Sequence, residues 1–210
     1  HWVRGEKEKG KIIDAQGFEQ VVPICALGGS VATPKQGMTA QVIEVNDFKQ
    51  LEQLGEAQVR GKIVFFNHPF DPKYVNTFNA YGEAGTYRWR GPSMAAKYGA
   101  IGSIVRSMTL SQDDYPHTGS MHYADTLPKI PCCAISTNGA DLLSNIIRAN
   151  KDTRFFFQMN CQNLDSVLSH NVIGELRGSE KPQEIIVAGG HLDSWDTGDG
   201  AHDDGAGIVQ

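Results

Sequence analysis

Apolar and polar residues alternate along Gln41-Val42-Ile43-Glu44-Val45, the period of a half-buried strand. Asp47 stands where it can cap a short helix running through Leu54, and Gly61-Lys62-Ile63-Val64-Phe65-Phe66 reads as a second, β-rich apolar run. Pro92 suits the first turn of a helix that Ser93-Met94-Ala95-Ala96-Lys97-Tyr98 continues and Gly99 stops. Ile101-Gly102-Ser103-Ile104-Val105 follows as a short buried strand. Ile130 to Ile135 is another, its Pro131 pointing to an edge position. Ser136 or Thr137 caps the clearest helix, with apolar positions Leu142, Leu143, Ile146 and Ile147, and Thr153 to Met159 closes the region as a strand rich in aromatics. Pro69 to Arg90 and Thr109 to Lys129 read as long loops, whose scattered tyrosines either anchor local packing or line a cleft.

From about Ser169 the pattern changes. Asn171 to Gly178 reads as a strand into a turn, and Glu184-Ile185-Ile186-Val187-Ala188-Gly189-Gly190 as a continuous apolar strand of the kind buried inside an α/β sheet. A boundary is therefore expected near residue 163. Residues 1–20 lead into a compact, mixed, β-rich domain over 21–163, and 164–210 open an α/β domain. No internal repeat or low-complexity tract occurs.

Composition narrows the function more than the fold. The 210 residues are 40% hydrophobic and 20% charged, ordinary for a globular protein, and the net charge of −5 argues against nucleic acid or an anionic membrane as partner. No apolar run approaches the roughly 20 residues that span a bilayer. His1-Trp2-Val3-Arg4-Gly5 is neither a starting Met nor a signal peptide, so a processed or excised chain is expected. Cys25, Cys132, Cys133 and Cys161 lack zinc-knuckle spacing. Buried thiols or a single disulfide such as Cys25–Cys161 both fit. Adjacent Cys132 and Cys133 should point to opposite faces of their strand.

The chemistry concentrates near residue 191. The strand over 184–190 would deliver His191 at its carboxyl end, where open α/β sheets place ligands, and Gly189 and Gly190 permit close approach there. Asp193 can accept from the imidazole nitrogen that does not face a metal, which fixes the ring. Asp203, at the start of Asp203-Asp204-Gly205-Ala206-Gly207-Ile208-Val209, reads as a carboxylate at a helix N-terminus. A glycine-rich acidic loop can bring it back to His191. A calcium loop of Asp196, Asp199 and Asp203 has the wrong spacing for an EF-hand, and a triad of His191, Asp193 and Ser194 fails on geometry. A plain acidic surface turn is the remaining alternative. His202 is expected to be a bystander.

His191-Leu192-Asp193-Ser194-Trp195-Asp196, followed by Gly200-Ala201-His202-Asp203-Asp204-Gly205-Ala206-Gly207, resembles the metal-binding signature of the co-catalytic zinc aminopeptidase superfamily. Further segments resemble it in the same order, among them Leu27-Gly28-Gly29-Ser30, Arg60-Gly61-Lys62-Ile63-Val64, Pro116-His117-Thr118-Gly119 and Pro128-Lys129-Ile130-Pro131. The resemblance implies a protease-associated domain inserted at the start of a zinc-peptidase α/β domain. It implies two zinc ions (Zn2+), His191 as a ligand of one, Asp203 as the bridge between both, and Asp193 as the catalytic-site residue that orients the centre. The family's Glu-Glu pair, which supplies the general base, has no counterpart here, nor do its later Asp and His ligands. The implied activity is exopeptidase cleavage of short peptides or dipeptides, in a secreted or periplasmic protein that can form a homodimer. The chain is then expected to be a piece cut inside its peptidase domain and inactive alone. The competing expectation is a non-catalytic protease-associated module for interaction or substrate gating.

Overall fold

A computed structural model describes residues 1–210 and divides them into two units, His1–Leu164 and Asp165–Gln210. The first unit holds, in chain order, β1 (Trp2–Val3), β2 (Lys9–Ile13), β3 (Glu19–Val22), β4 (Ile24–Ala26), β5 (Met38–Val45), α1 (Phe48–Val59), β6 (Ile63–Phe66), α2 (Thr77–Lys97), β7 (Gly102–Arg106), β8 (Cys132–Ile135), α3 (Thr137–Ala149), β9 (Arg154–Gln158) and β10 (Gln162–Asn163). Eight strands form one mixed sheet in the order β3-β2-β9-β5-β6-β7-β8-β4, and β1 pairs with β10 apart from it. β5, β6, β7 and β8 run parallel, and the flanking pairs are antiparallel. The fold class is thus α/β, as expected. Residues 1–20 are more than a lead-in, because they supply β1, β2 and the opening of β3.

Alternation along the central strands explains why helices cover both faces. Ile63 and Phe65, Ile104, Cys133 and Ile135 pack with Ala140 and Leu143 of α3. The intervening Val64 and Phe66, Val105, Cys132 and Ala134 pack with Leu51 and Val59 of α1 and Ala95 and Ala96 of α2. Cys132 and Cys133 accordingly face opposite sides. All four cysteines are buried as thiols, and no disulfide joins Cys25 to Cys161. Burial holds the Cys133 thiol well above its ordinary value and pushes Cys132 up to about 12.

The caps behave as the sequence predicts. Asp47 accepts from the Gln50 N–H at 2.6 Å at the start of α1, and Ser136 accepts from the Gly139 N–H at 3.1 Å at the start of α3. α1 runs past Leu54 to Val59, with Gly55 breaking the helical geometry at φ 61°.

Two expectations are overturned. The segment read as a loop up to Arg90 is largely α2, which begins at Thr77 behind the cap of Asn76, and Pro92 lies inside that helix instead of opening it. Three glycines and Pro92 hid this helix, since each disfavours a helix interior. Packing overrides them where Gly91, Pro92, Ser93, Ala95 and Ala96 are buried. A Cβ at Gly91 would meet Phe66 Cε2 at 2.9 Å, so that glycine lets α2 seat on β6. β8 is also interior, not an edge. Pro131 precedes it and loses no ladder bond, while its carbonyl accepts from the Ser103 N–H at 3.0 Å.

A buried polar cluster ties the N-terminus down. Arg4 donates to Glu8 Oε1 at 3.1 Å, to the Ala26 carbonyl at 2.5 Å and to Thr118 Oγ1 at 3.1 Å, and it lies over the Trp2 ring. Glu8 Oε1 also accepts from the Ala26 N–H at 2.8 Å. The pair is thus hydrogen-bonded beyond its own contact, as buried charges require.

In the second unit the expected strands are absent. Ile185, Ile186 and Val187 are 84%, 96% and 87% exposed, and neither 171–178 nor 184–190 has a strand beside it. An extended segment without neighbours leaves its main-chain groups to water and has no ladder to join. Regular structure here is limited to a π-helical turn over Ala201–Gly205 and one helical turn, α4 (Ala206–Ile208). No helix of the chain is long and apolar enough to cross a membrane.

Candidate functional site

His191, Asp193 and Asp203 converge within the second unit. His191 Nε2 lies 2.9 Å from Asp203 Oδ1. Its Nδ1 lies 2.8 Å from the main-chain carbonyl of Asp193 and 3.4 Å from the Asp193 carboxylate. The carbonyl, then, makes the closer contact, where the sequence pointed to the side chain. A carbonyl only accepts, so Nδ1 carries the proton that fixes the ring, and Nε2 is left to face the Asp203 carboxylate. That is the tautomer an Nε2 metal ligand needs. Hydrogen bonding to the Asp193 carbonyl, then to the Asp203 side chain, raises the His191 pKa above its ordinary value, because both acceptors favour the imidazolium.

Glycines make the convergence possible. Gly200 adopts φ 67°, and a Cβ there would meet the Ser194 Cβ at 2.6 Å. Gly190 is pressed against the Asp204 carboxylate, with no room for a Cβ, whereas Gly189 has open space. The His191 N–H donates to Asp204 Oδ2 at 3.3 Å. Asp204 was not singled out in the sequence, although its pairing with Asp203 was the available signal. Asp203 and Asp204 are not helical, and the expected helix begins only at Ala206. The peptide between them is cis.

His191, Asp193, Ser194, Trp195 and Asp203 line a cavity of about 280 Å³, which His202 does not border. The site is open: the side chains of His191 and Asp203 are 50% and 82% exposed. An imidazole nitrogen and a carboxylate are donors that zinc accepts, so the pair fits zinc in kind. It does not fill a coordination sphere. No group of three or more His, Cys, Asp or Glu side chains in the chain is placed to hold a metal.

Comparison with known proteins gives likenesses to peptidases. Residues 171–210, which contain the whole cluster, match peptidase family M28. The chain is similar to that family there. Its similarity runs through both units: it is 38% identical over 207 residues to carboxypeptidase Q of Xenopus laevis and 36% identical over 207 residues to carboxypeptidase Q of Homo sapiens. Each match covers 99% of this chain but only 42% and 41% of those relatives. The crystal structure of an M28 peptidase precursor from Shewanella amazonensis SB2B matches with a TM-score of 0.92 and 36% identity, over 100% of this chain and 46% of that one. The chain thus spans less than half the length of these relatives.

Proposed function

We propose that this chain carries part of the metal centre of a zinc-dependent exopeptidase that hydrolyses short peptides or dipeptides. The observation that carries the reading is the approach of His191 Nε2 and Asp203 Oδ1, inside the segment that matches family M28. His191 would ligate one zinc and Asp203 would bridge two. Bound there, zinc would polarise a scissile carbonyl and acidify water. The residues of this chain supply the preparation. Asp193 holds the Nδ1 proton in place through its carbonyl, so that Nε2 presents a lone pair. Asp204 fixes the main chain of His191, and Trp195 gives the cavity an apolar wall.

Two donors bind zinc weakly, because a zinc centre takes four ligands. We therefore expect this chain alone to bind zinc loosely and to be inactive. Zinc content after gel filtration, zinc affinity by competition with a chromophoric chelator, and dipeptide hydrolysis test this together. His191→Ala and Asp203→Asn should each weaken zinc affinity by about tenfold or more, the scale on which even outer partners of a ligand matter. Affinity unchanged in both variants overturns the assignment.

The first unit favours a second role within the same protein. It has a closed core of its own and no metal-binding group, as an accessory domain of the protease-associated type would. Export to the periplasm or cell exterior and a homodimeric state belong to this proposal, and cell fractionation and sedimentation of the whole protein test them.

A further inference from the structure

β5 outruns both of its neighbours. Its first half pairs with β9, as far as Gln41 opposite Arg154, and its second half pairs with β6, from Val42 opposite Ile63. On the β9 side the Val42 N–H still reaches the Thr153 carbonyl at 3.0 Å, while on the β6 side the Val45 carbonyl accepts from the Asn67 N–H at 2.9 Å. Main-chain groups alternate between the two edges of a strand, so Glu44 turns its N–H and C=O toward the β9 side. The β9 pairing has ended by then, and no other strand lies beside Glu44 on that edge. An open edge of this kind is a template for one more strand.

The same stretch of β5 lines a cleft of about 510 Å³, walled by Gln50 and Leu54 of α1 and by Ile147 and Arg148 of α3. That volume lies within the range of about 300–1,000 Å³ usual for ligand clefts. Lys62, Arg148 and Lys151 all border it, and none of them is in an ion pair within the chain. The one acid among the lining residues, Glu44, is already engaged. Its Oε1 accepts from Ser144 Oγ at 2.8 Å and Asn67 Nδ2 at 2.6 Å, and its Oε2 lies 3.0 Å from Ser144 Oγ. Asp152, next along from Lys151, accepts from the Gln41 amide at 3.5 Å. In a chain of net charge −5, this cleft gathers three cations outside any ion pair around the edge left open at Glu44, between the Val42 N–H held by Thr153 and the Asn46 N–H held by Gln50 Oε1.

We propose that the cleft binds an acidic peptide segment in extended conformation, which adds as a strand to β5 at Glu44 and sets its carboxylates against Lys62, Arg148 and Lys151. Main-chain bonds to the open edge would give affinity, and the cations would select for acid. The inference is independent of the peptidase reading, because it is read by binding without turnover.

Fluorescence anisotropy on the whole chain tests it, using a fluorescein-labelled hexapeptide of alternating Glu and Val. Counterparts with Gln or Lys in place of Glu, and one with a central N-methyl amide, complete the set. The Glu peptide should bind, the Gln peptide more weakly and the Lys peptide not at all. Arg148→Glu and Lys151→Glu, both at exposed positions, should each weaken the Glu peptide by about tenfold with an unchanged circular dichroism spectrum, and N-methylation should cost about as much. No binding of the Glu peptide, or equal binding of the Glu and Gln peptides, overturns the proposal. Displacement by inorganic polyphosphate with no effect of N-methylation overturns strand addition and leaves a plain anion patch.

Discussion

Two apolar runs of similar chemistry meet opposite fates in this chain. Ile63-Val64-Phe65-Phe66 becomes β6, with every residue 0% exposed. Ile185-Ile186-Val187 lies open, each residue more than four-fifths accessible. The difference is in the neighbours. β6 lies between β5 and β7, and one of its faces packs under α1 and α2 while the other packs under α3. Residues 185–187 have no strand on either side. An apolar run marks what can be buried; a ladder and a covering layer decide whether it is. The polar groups repeat the contrast. Arg4 and Glu8 are 11% and 7% exposed and multiply bonded, whereas the candidate ligands His191 and Asp203 meet each other at the surface.

The largest test of this contrast is Phe155→Ala. Phe155 is fully buried in the cluster beneath α3, against Phe157. Its removal should cost about 3–5 kcal/mol, as aromatic deletions in packed cores do. Urea unfolding followed by near-ultraviolet circular dichroism reads it, and a loss below about 1 kcal/mol would mean that the first unit is far looser than its packing implies. Next in size is Ser136→Ala, which removes the cap on α3 and should cost about 1 kcal/mol in the same assay. Glycine at the same position should restore much of that, since a cap needs extended backbone as well as an acceptor.

How far the sequence foretold this structure follows the same division. β5, β6, β7 and β9 were legible from alternation and β-branched runs, and α3 from its cap and its apolar stripe. α2 was not, because its glycines and Pro92 oppose a helix and packing against β6, β7 and α1 sustains it. Residues 184–190 failed in the other direction, since their strand propensity is real and their partners are missing. The candidate site was more legible than the elements around it. His191, Asp193 and Asp203 come together although the strand expected to present His191 does not form and the helix expected at Asp203 begins only at Ala206, because Gly190 and Gly200 allow the local turn. What spacing could not tell is that the Asp193 carbonyl, not its carboxylate, makes the closest contact.

Two histidines sharpen the comparison without large energies. His117 sits in the first unit, its N–H bonded to Ser107 Oγ at 2.8 Å, and burial lowers its pKa, with Arg88 adding to the effect and Asp113 opposing it. His191 is raised by its acceptors. Proton-detected titration of the metal-free chain should therefore place His117 below the ordinary 6.5 and His191 above it. The signs run in opposite senses. As pH falls from the ordinary value to the lowered one, the unfolded chain takes a proton at residue 117 that the folded chain refuses, and stability is lost. The pairing of His191 with Asp203 is fully present at pH below the ordinary value and is lost as pH rises through the raised one. Asp203→Asn should bring the His191 midpoint down and leave His117 in place. Equal midpoints for the two rings would erase the distinction between a desolvated histidine and one held by open acceptors.

The smallest expected effect is the most direct test of the opening contrast. Ile186→Ala removes as much apolar side chain as a core deletion would, yet Ile186 is 96% exposed and adjoins no strand. Stability should change by less than about 0.5 kcal/mol, as for surface positions in general. Ile63→Ala, the same substitution in β6, should cost about 2–5 kcal/mol, because Ile63 is 0% exposed and lies within the core cluster beneath α3. The pair of variants holds side-chain chemistry constant and changes only the surroundings. If Ile186→Ala cost as much as Ile63→Ala, residues 185–187 would have to be packed in solution, and the contrast between the two runs would vanish. A near-zero effect beside a large one shows burial, and not the apolar sequence itself, to be the source of stability.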